Sequence, residues 1–221
     1  ELRAHEDQIQ DKLFWPPYFH CYYHPAQKKG YSGVGIYCKK KPDYVIKGLG
    51  LNKFDVEGRW IEARYENLSI VSLYLPSGSS DIKRQKLKMD LLDKLEFFLS
   101  QIKNDRRQYI ICGDFNIAHK KIDIKNWRGN QKSPGFLPEE RNWMDNLIDR
   151  EKWIDAFREI NKDENQYTWW SNRGKAWEKN VGWRIDYQII SPRFSKKIKR
   201  VNIYKEKRFS DHSPLIIDYY D

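Results

Sequence analysis

A helical run of apolar side chains set between strand-like runs most constrains how this 221-residue chain can fold. Leu87, Leu91, Leu95, Phe98 and Ile102 recur every three or four residues, which predicts an amphipathic helix over Gln85 to Lys103. Before it, Trp60 to Tyr65 and Leu68 to Leu75 read as a hairpin turned by Glu66-Asn67. After it, Tyr109 to Cys112 reads as a short buried strand. Gly33 to Tyr37, Arg184 to Ile190, Val201 to Tyr204 and Leu215 to Tyr219 read as further strands. Glu139 to Ile148 and Trp153 to Ile160 read as short helices, and Arg3 to Leu13 as a helix-permissive segment stopped by Trp15-Pro16-Pro17. Strands alternating with helices, without repeat or linker, predict a single α/β domain over residues 1–221. Hairpins mixed with helices predict two mixed sheets packed face to face with helices outside.

The candidate chemistry lies at the ends of these strands. Asp114 and Asn116 follow Tyr109-Ile110-Ile111-Cys112, and Asp211 and His212 precede Leu215-Ile216-Ile217. Open α/β sheets gather their chemistry at strand ends. Side chains two apart on an extended segment share a face, so Asp114 and Asn116 can together position a water and a phosphate oxygen. Gly-Asp-x-Asn is equally good Asx-turn chemistry, and the sequence leaves both readings standing. Asp211 beside His212 pairs a metal-ligating carboxylate with an acid or electrophile, or is a solvated loop. Asp186 lies inside a strand-like run, where an acid is costly unless a His or Arg satisfies it.

The formal net charge of +10 favours an acidic polymer as partner. Nine Trp and fourteen Tyr exceed what a core of this size needs. From Trp169 to Arg184, four tryptophans and four cations interleave, which suits phosphate contacts combined with stacking or wedging in a duplex. One or two of those rings are expected in the core. A second basic run, Lys120, Lys121, Lys125, Arg128 and Lys132, follows the Asp114 segment. Cys21, Cys38 and Cys112 make an odd count with no metal-binding or redox spacing, so they read as reduced thiols of an intracellular protein. The five histidines lack zinc spacing, and no stretch is long and apolar enough to span a membrane.

Seven segments in order resemble the exonuclease III / AP endonuclease family of the endonuclease/exonuclease/phosphatase superfamily. They are Glu1 with Arg3-Ala4, Gly30 to Gly35, Glu57-Gly58-Arg59, Ser72 to Gly78, Cys112 to Asn116, Asn180 to Gln188 and Ser210 to Pro214. The resemblance covers nearly the whole chain. It implies a four-layered α/β sandwich that cuts double-stranded DNA beside abasic sites, trims blocked 3′ ends and degrades from the 3′ end. It also implies Mg²⁺, with Mn²⁺ as a substitute, held by Glu1 with Asp211 nearby. Asp114 then orients or deprotonates the attacking water, and Asn116 and Tyr74 contact the scissile phosphate. His212, paired with Asp186, polarises that phosphate. Trp183 walls the pocket for the extrahelical abasic sugar, which is cheap to extrude because it has no base to unstack. Arg184, Asn180, Ser77 and Arg173 are expected to touch the substrate.

The family carries a further strand, helix and strand before the position of Glu1, so a unit of about 30 residues is expected to be missing from this sequence. Further expectations are a cytoplasmic bacterial monomer with no membrane partner. Other readings remain open: a nonspecific nuclease, a phosphatase of the same superfamily, or a DNA-binding remnant without catalysis.

Overall fold

The computed structural model describes residues 2–5, 7–103 and 105–220. Its backbone divides into two compact units, one of residues 1–75 and 106–114, the other of residues 76–105 and 115–221.

In the first unit, β1 (His20–Pro25) and β2 (Gly33–Cys38) form an antiparallel pair. β3 (Tyr44–Lys47) leads through the short α1 (Asn52–Asp55) to β4 (Trp60–Tyr65), β5 (Leu68–Tyr74) and β6 (Gln108–Asp114). β3, β4 and β5 pair antiparallel, whereas β6 runs parallel to β5, so this sheet is mixed as expected. The expected hairpin forms with its turn at Glu66-Asn67. Along β5 every second residue, Ser69, Val71 and Leu73, is buried, the period-2 signature of a half-covered strand. Gly113 is what allows β6 to lie so close to β5. Its φ is +154°, and a methyl there would come within 1.8 Å of the Leu73 carbonyl oxygen.

Among the described residues of the segment Arg3 to Leu13 no α-helix forms, and the 3₁₀ turn Lys12–Phe14 stands at its end. Local side-chain bonds compete with it. His5 Nδ1 bonds Asp7, the His5 N–H donates to Gln8 Oε1, and the Leu2 N–H is drawn 2.7 Å onto the Gly33 carbonyl. Ile9 instead packs with Cys21 and Tyr23.

The second unit begins with α2 (Ile82–Ile102), which starts three residues earlier than the sequence predicts. The Asp81 carboxylate caps it, accepting from the Arg84 N–H at 2.8 Å. Its buried stripe is Lys88, Leu91, Leu92, Leu95 and Leu99, with Leu87, Phe98 and Ile102 only half-buried. A lysine therefore occupies a core position that the apolar pattern had assigned to its neighbour. α3 (Pro138–Asp145) follows, with Pro at its first turn, and the Trp143 indole donates to the Leu92 carbonyl at 2.8 Å. The segment read as a helix from Trp153 divides into β7 (Ile154–Asp155) and α4 (Ala156–Ile160). β8 (Trp169–Trp170) pairs with β9 (Gly182–Trp183), β10 (Asp186–Ile190) with β7, and β11 (Ile198–Ile203) with β12 (Leu215–Tyr219), all antiparallel.

A buried charge network ties this unit together. Asp123 Oδ1 accepts from Arg184 Nε at 2.7 Å and from Arg158 Nη2 at 2.9 Å, and Arg184 Nη2 donates to Asp155 at 2.7 Å. Burial raises the Asp123 carboxyl, but Arg184, Arg158 and the Lys120 N–H outweigh it and hold the pKa down at about 2. Among the described residues no helix is long and apolar enough to cross a membrane.

Two consequences are measurable. Gly113→Ala is expected to prevent folding, because a methyl at that position meets backbone rather than a movable side chain; a native circular dichroism spectrum and cooperative melt from that variant would contradict this. Asp123→Asn is expected to lower stability by roughly 3–5 kcal/mol at pH 7. A depressed carboxyl stabilises the fold above its unfolded pKa of about 3.9, and that contribution fades as pH falls toward the folded value. Urea unfolding should therefore show the gap between wild type and variant narrowing from about pH 4 downward. A gap the same at pH 7 and pH 2.5 would rule out the charge network as its source.

Candidate active site

The first unit supplies two side chains at the ends of neighbouring strands. The parallel register of β5 and β6 sets Tyr74 opposite Asp114, and the Leu75 N–H closes the pair on the Asp114 carbonyl at 2.9 Å. Asp114 is the last residue of β6, not the first of a loop, and is 9 % exposed. A carboxylate so shielded interacts with whatever reaches it more strongly than one in open water. Tyr74 is fixed by Arg59, which the sequence marked only as part of a motif. Buried Arg59 donates to Glu57 at 2.7 Å and to the Tyr74 carbonyl at 2.9 Å, and its guanidinium lies 4.8 Å from the Tyr74 ring centroid.

The second unit brings together four of the expected residues. His212 Nδ1 lies 3.0 Å from Asp186 Oδ2. With Nδ1 committed to a carboxylate, the tautomer and ring orientation are set. Asp186 is itself placed by Thr168, whose hydroxyl accepts the N–H groups of Ile185 and Asp186, both at 3.1 Å. Asp211 Oδ2 accepts from the Trp169 indole at 3.1 Å. Trp169 bridges His212 through the backbone and meets Trp183 edge to face at 6.3 Å. Asp186, Asp211, His212 and Trp183 thus form one hydrogen-bonded and packed group, with Thr168 and Trp169 as the connectors. The sequence marked Trp169 only as one of four tryptophans in a basic run and Thr168 not at all, because a threonine or tryptophan becomes a connector only through its neighbours in space.

Trp183 is half-buried against Ala118, Ile124, Phe136 and Ile185. Gly135 lies beneath it. Its φ is +92°, and a methyl there would press within 3.1 Å of the Asn116 carbonyl and 3.2 Å of the Trp183 ring. Asn116 itself holds a φ of 51°.

The remaining expected contacts divide. Ser77 is exposed, with its hydroxyl 3.0 Å from that of Ser79, and Arg173 is exposed on the tryptophan-rich loop. Asn180 turns inward, accepting from the Trp170 indole at 3.0 Å and donating to the Asn165 carbonyl at 3.1 Å, so its amide braces the loop. Arg184 corrects the sequence reading. It is 0 % exposed and held by Asp123 and Asp155, so it cannot reach a substrate. Its position beside Trp183 in a basic run concealed that the strand turns it inward. Of the four tryptophans here, Trp170 is fully buried against Trp177 and the other two stand at the site. An unanticipated cation, Arg208, bonds Asn172 at 2.6 Å and lies 5.4 Å from the Trp177 ring.

Among the described residues no three His, Cys, Asp or Glu side chains cluster to hold a metal. Glu1, the expected first ligand, lies outside the described residues. Asp211 offers Oδ1, which meets no donor among the described residues, and a hard oxygen of this kind suits Mg²⁺.

Residues 1–212 match the model of the Endonuclease/Exonuclease/phosphatase family. The exodeoxyribonuclease of Bacillus subtilis is 34 % identical over 95 % of this chain and 84 % of its own length. The DNA-(apurinic or apyrimidinic site) endonuclease of Dictyostelium discoideum is 37 % identical over 86 % of this chain, which spans 53 % of that protein. Among solved structures, the 3′ phosphatase NExo from Neisseria, bound to a product DNA hairpin, superimposes with a TM-score of 0.89 at 25 % identity, covering 100 % of this chain and 86 % of that one. The fold and the motifs agree with these likenesses, and the chain belongs to the Endonuclease/Exonuclease/phosphatase family, as a hydrolase of its exodeoxyribonuclease and AP endonuclease branch.

Proposed function

We propose that this protein hydrolyses the phosphodiester 5′ of abasic sites in double-stranded DNA, with 3′–5′ exonuclease and 3′-end trimming activity, in base-excision repair. The observation that carries the reading is the Asp186–His212 pair, 3.0 Å apart, with the Asp211 carboxylate held beside it by Trp169. Such a pair keeps one imidazole nitrogen aimed at a phosphate oxygen, where it stabilises the charge that develops in the transition state. Asp114, shielded at its strand end, orients or deprotonates the attacking water. Tyr74 and Asn116 bind the scissile phosphate. Trp183, backed by an apolar cluster, walls the space for a sugar that carries no base. Ser77 and Arg173 approach the DNA backbone, and the net charge of +10 favours its binding. Mg²⁺, or Mn²⁺ in its place, held by Glu1 and Asp211, neutralises phosphate charge when bound. The protein acts as a monomer in the cytoplasm.

The decisive assay offers a duplex with one tetrahydrofuran abasic analogue, with Mg²⁺ or with EDTA. A metal-dependent nick immediately 5′ of the analogue is expected. Cutting spread evenly along an intact duplex would replace this reading with a nonspecific nuclease. In the same assay, Asp114→Asn and His212→Gln are expected to slow cleavage by about 10²–10⁴-fold, while salt-sensitive duplex binding measured by anisotropy persists. Wild-type rates from either variant would remove that residue from the mechanism.

A further inference from the structure

A fully buried ion pair stands behind Asn116. Lys88 on α2 and Glu140 on α3 are both 0 % exposed, and their Nζ and Oε1 atoms are 2.6 Å apart. Lys88 Nζ also donates to the Asn116 carbonyl at 2.9 Å. The Glu140 carboxylate accepts the Gly135 N–H at 2.6 Å, the Leu137 N–H at 3.0 Å and the Gln85 amide at 3.2 Å. One pair of charges therefore grips three backbone groups, two of which lie where Asn116 and Gly135 approach each other. One is the carbonyl of Asn116, the residue held at a φ of 51°. The other is Gly135, whose Cα faces both that carbonyl and the Trp183 ring.

This arrangement is costly as stability alone. An apolar pair of similar volume in such a place is often neutral or stabilising. It could not, however, hold a carbonyl and two N–H groups at fixed points. Asparagine enters the left-handed region more readily than most residues, and the bond from Lys88 to its carbonyl holds Asn116 at that point.

We infer that Lys88 and Glu140 are positioning residues that set the Asn116 amide and the floor beneath Trp183 for catalysis. The inference rests on the nuclease reading of Asn116. A slight misplacement of a group that binds the reacting phosphate is enough to cost rate without costing affinity.

The test compares Lys88→Met, Asn116→Ala, the two combined, and Leu99→Ala as a control that also empties a buried site on α2. Each is assayed on the abasic-analogue duplex at a temperature where it is folded. Lys88→Met is expected to lower kcat by about ten- to a hundred-fold, with KM changed by no more than about twofold. The combined variant should be no slower than Asn116→Ala, since the lysine acts through that residue. Leu99→Ala should keep wild-type kcat. In a spectrum of ¹⁵N-asparagine protein, the Asn116 side-chain amide, identified by its loss in Asn116→Ala, should move in Lys88→Met and stay in Leu99→Ala. Should Lys88→Met not fold, Lys88→Met with Glu140→Met, which leaves no lone buried charge, takes its place. Multiplying effects in the combined variant, or an unmoved amide resonance, would overturn the inference. A wild-type protein that cuts no abasic duplex would instead sink the nuclease reading, and the resonance would still decide the positioning.

Discussion

Arg184 carries a full positive charge with no access to solvent, and much of the second unit is arranged to answer it. Its guanidinium bonds Asp123 and Asp155, and its backbone N–H donates to the Asp123 carbonyl at 2.7 Å. A buried charge is tolerable only when paired and hydrogen-bonded. Meeting that condition fixes the backbone between Trp183, proposed to face DNA, and Asp186, which orients His212. The next residue in the Asp123 segment, Ile124, bridges Trp183 directly. A structural charge network thereby sets the registration of Trp183 and of Asp186, the partner of His212.

The same logic recurs wherever a reactive side chain is expected. Tyr74 has Arg59 against its ring and carbonyl, Asp186 has the Thr168 hydroxyl, Asp211 has the Trp169 indole, and Asn116 has Lys88. Each of these side chains is thus held by a more deeply buried or less conspicuous neighbour. Hydrolysis of a phosphodiester asks for this, because its barrier is lowered mainly by groups already in place before charge develops. Two glycines serve the same end. Gly113 lets β6 close on β5, and Gly135 lets Asn116 and Trp183 approach the same point.

How much of this was legible follows from the range of the forces involved. The β4–β5 hairpin, α2, α3 and β12 were readable because alternation, helical periodicity and turn chemistry act within a few residues. Short strands escaped. β8 and β9 are two residues each and owe their existence to the pairing of Trp169 with Trp183. The first segment failed as a helix because local polar bonds and the Gly33 carbonyl outcompeted a weak propensity. Asp211 beside His212 was legible from their adjacency, whereas the pairing of His212 with Asp186, 26 residues earlier, was anticipated only through the family resemblance. Arg184 was misread because a basic residue within a DNA-binding motif looks alike whether it points outward or inward.

The sequence alone determined the residue types at the strand ends, the α/β alternation and the basic charge, all of which are local or summed properties of the chain. Only the tertiary structure decided which cations face solvent and which are buried. Arg173 stands exposed, while Arg59, Lys88 and Arg184 are enclosed and already bonded. The reason is physical: a charge becomes a scaffold or a ligand-binding group according to whether an opposite charge shares its buried space, and that partner lies 52 residues away for Lys88 and 61 for Arg184.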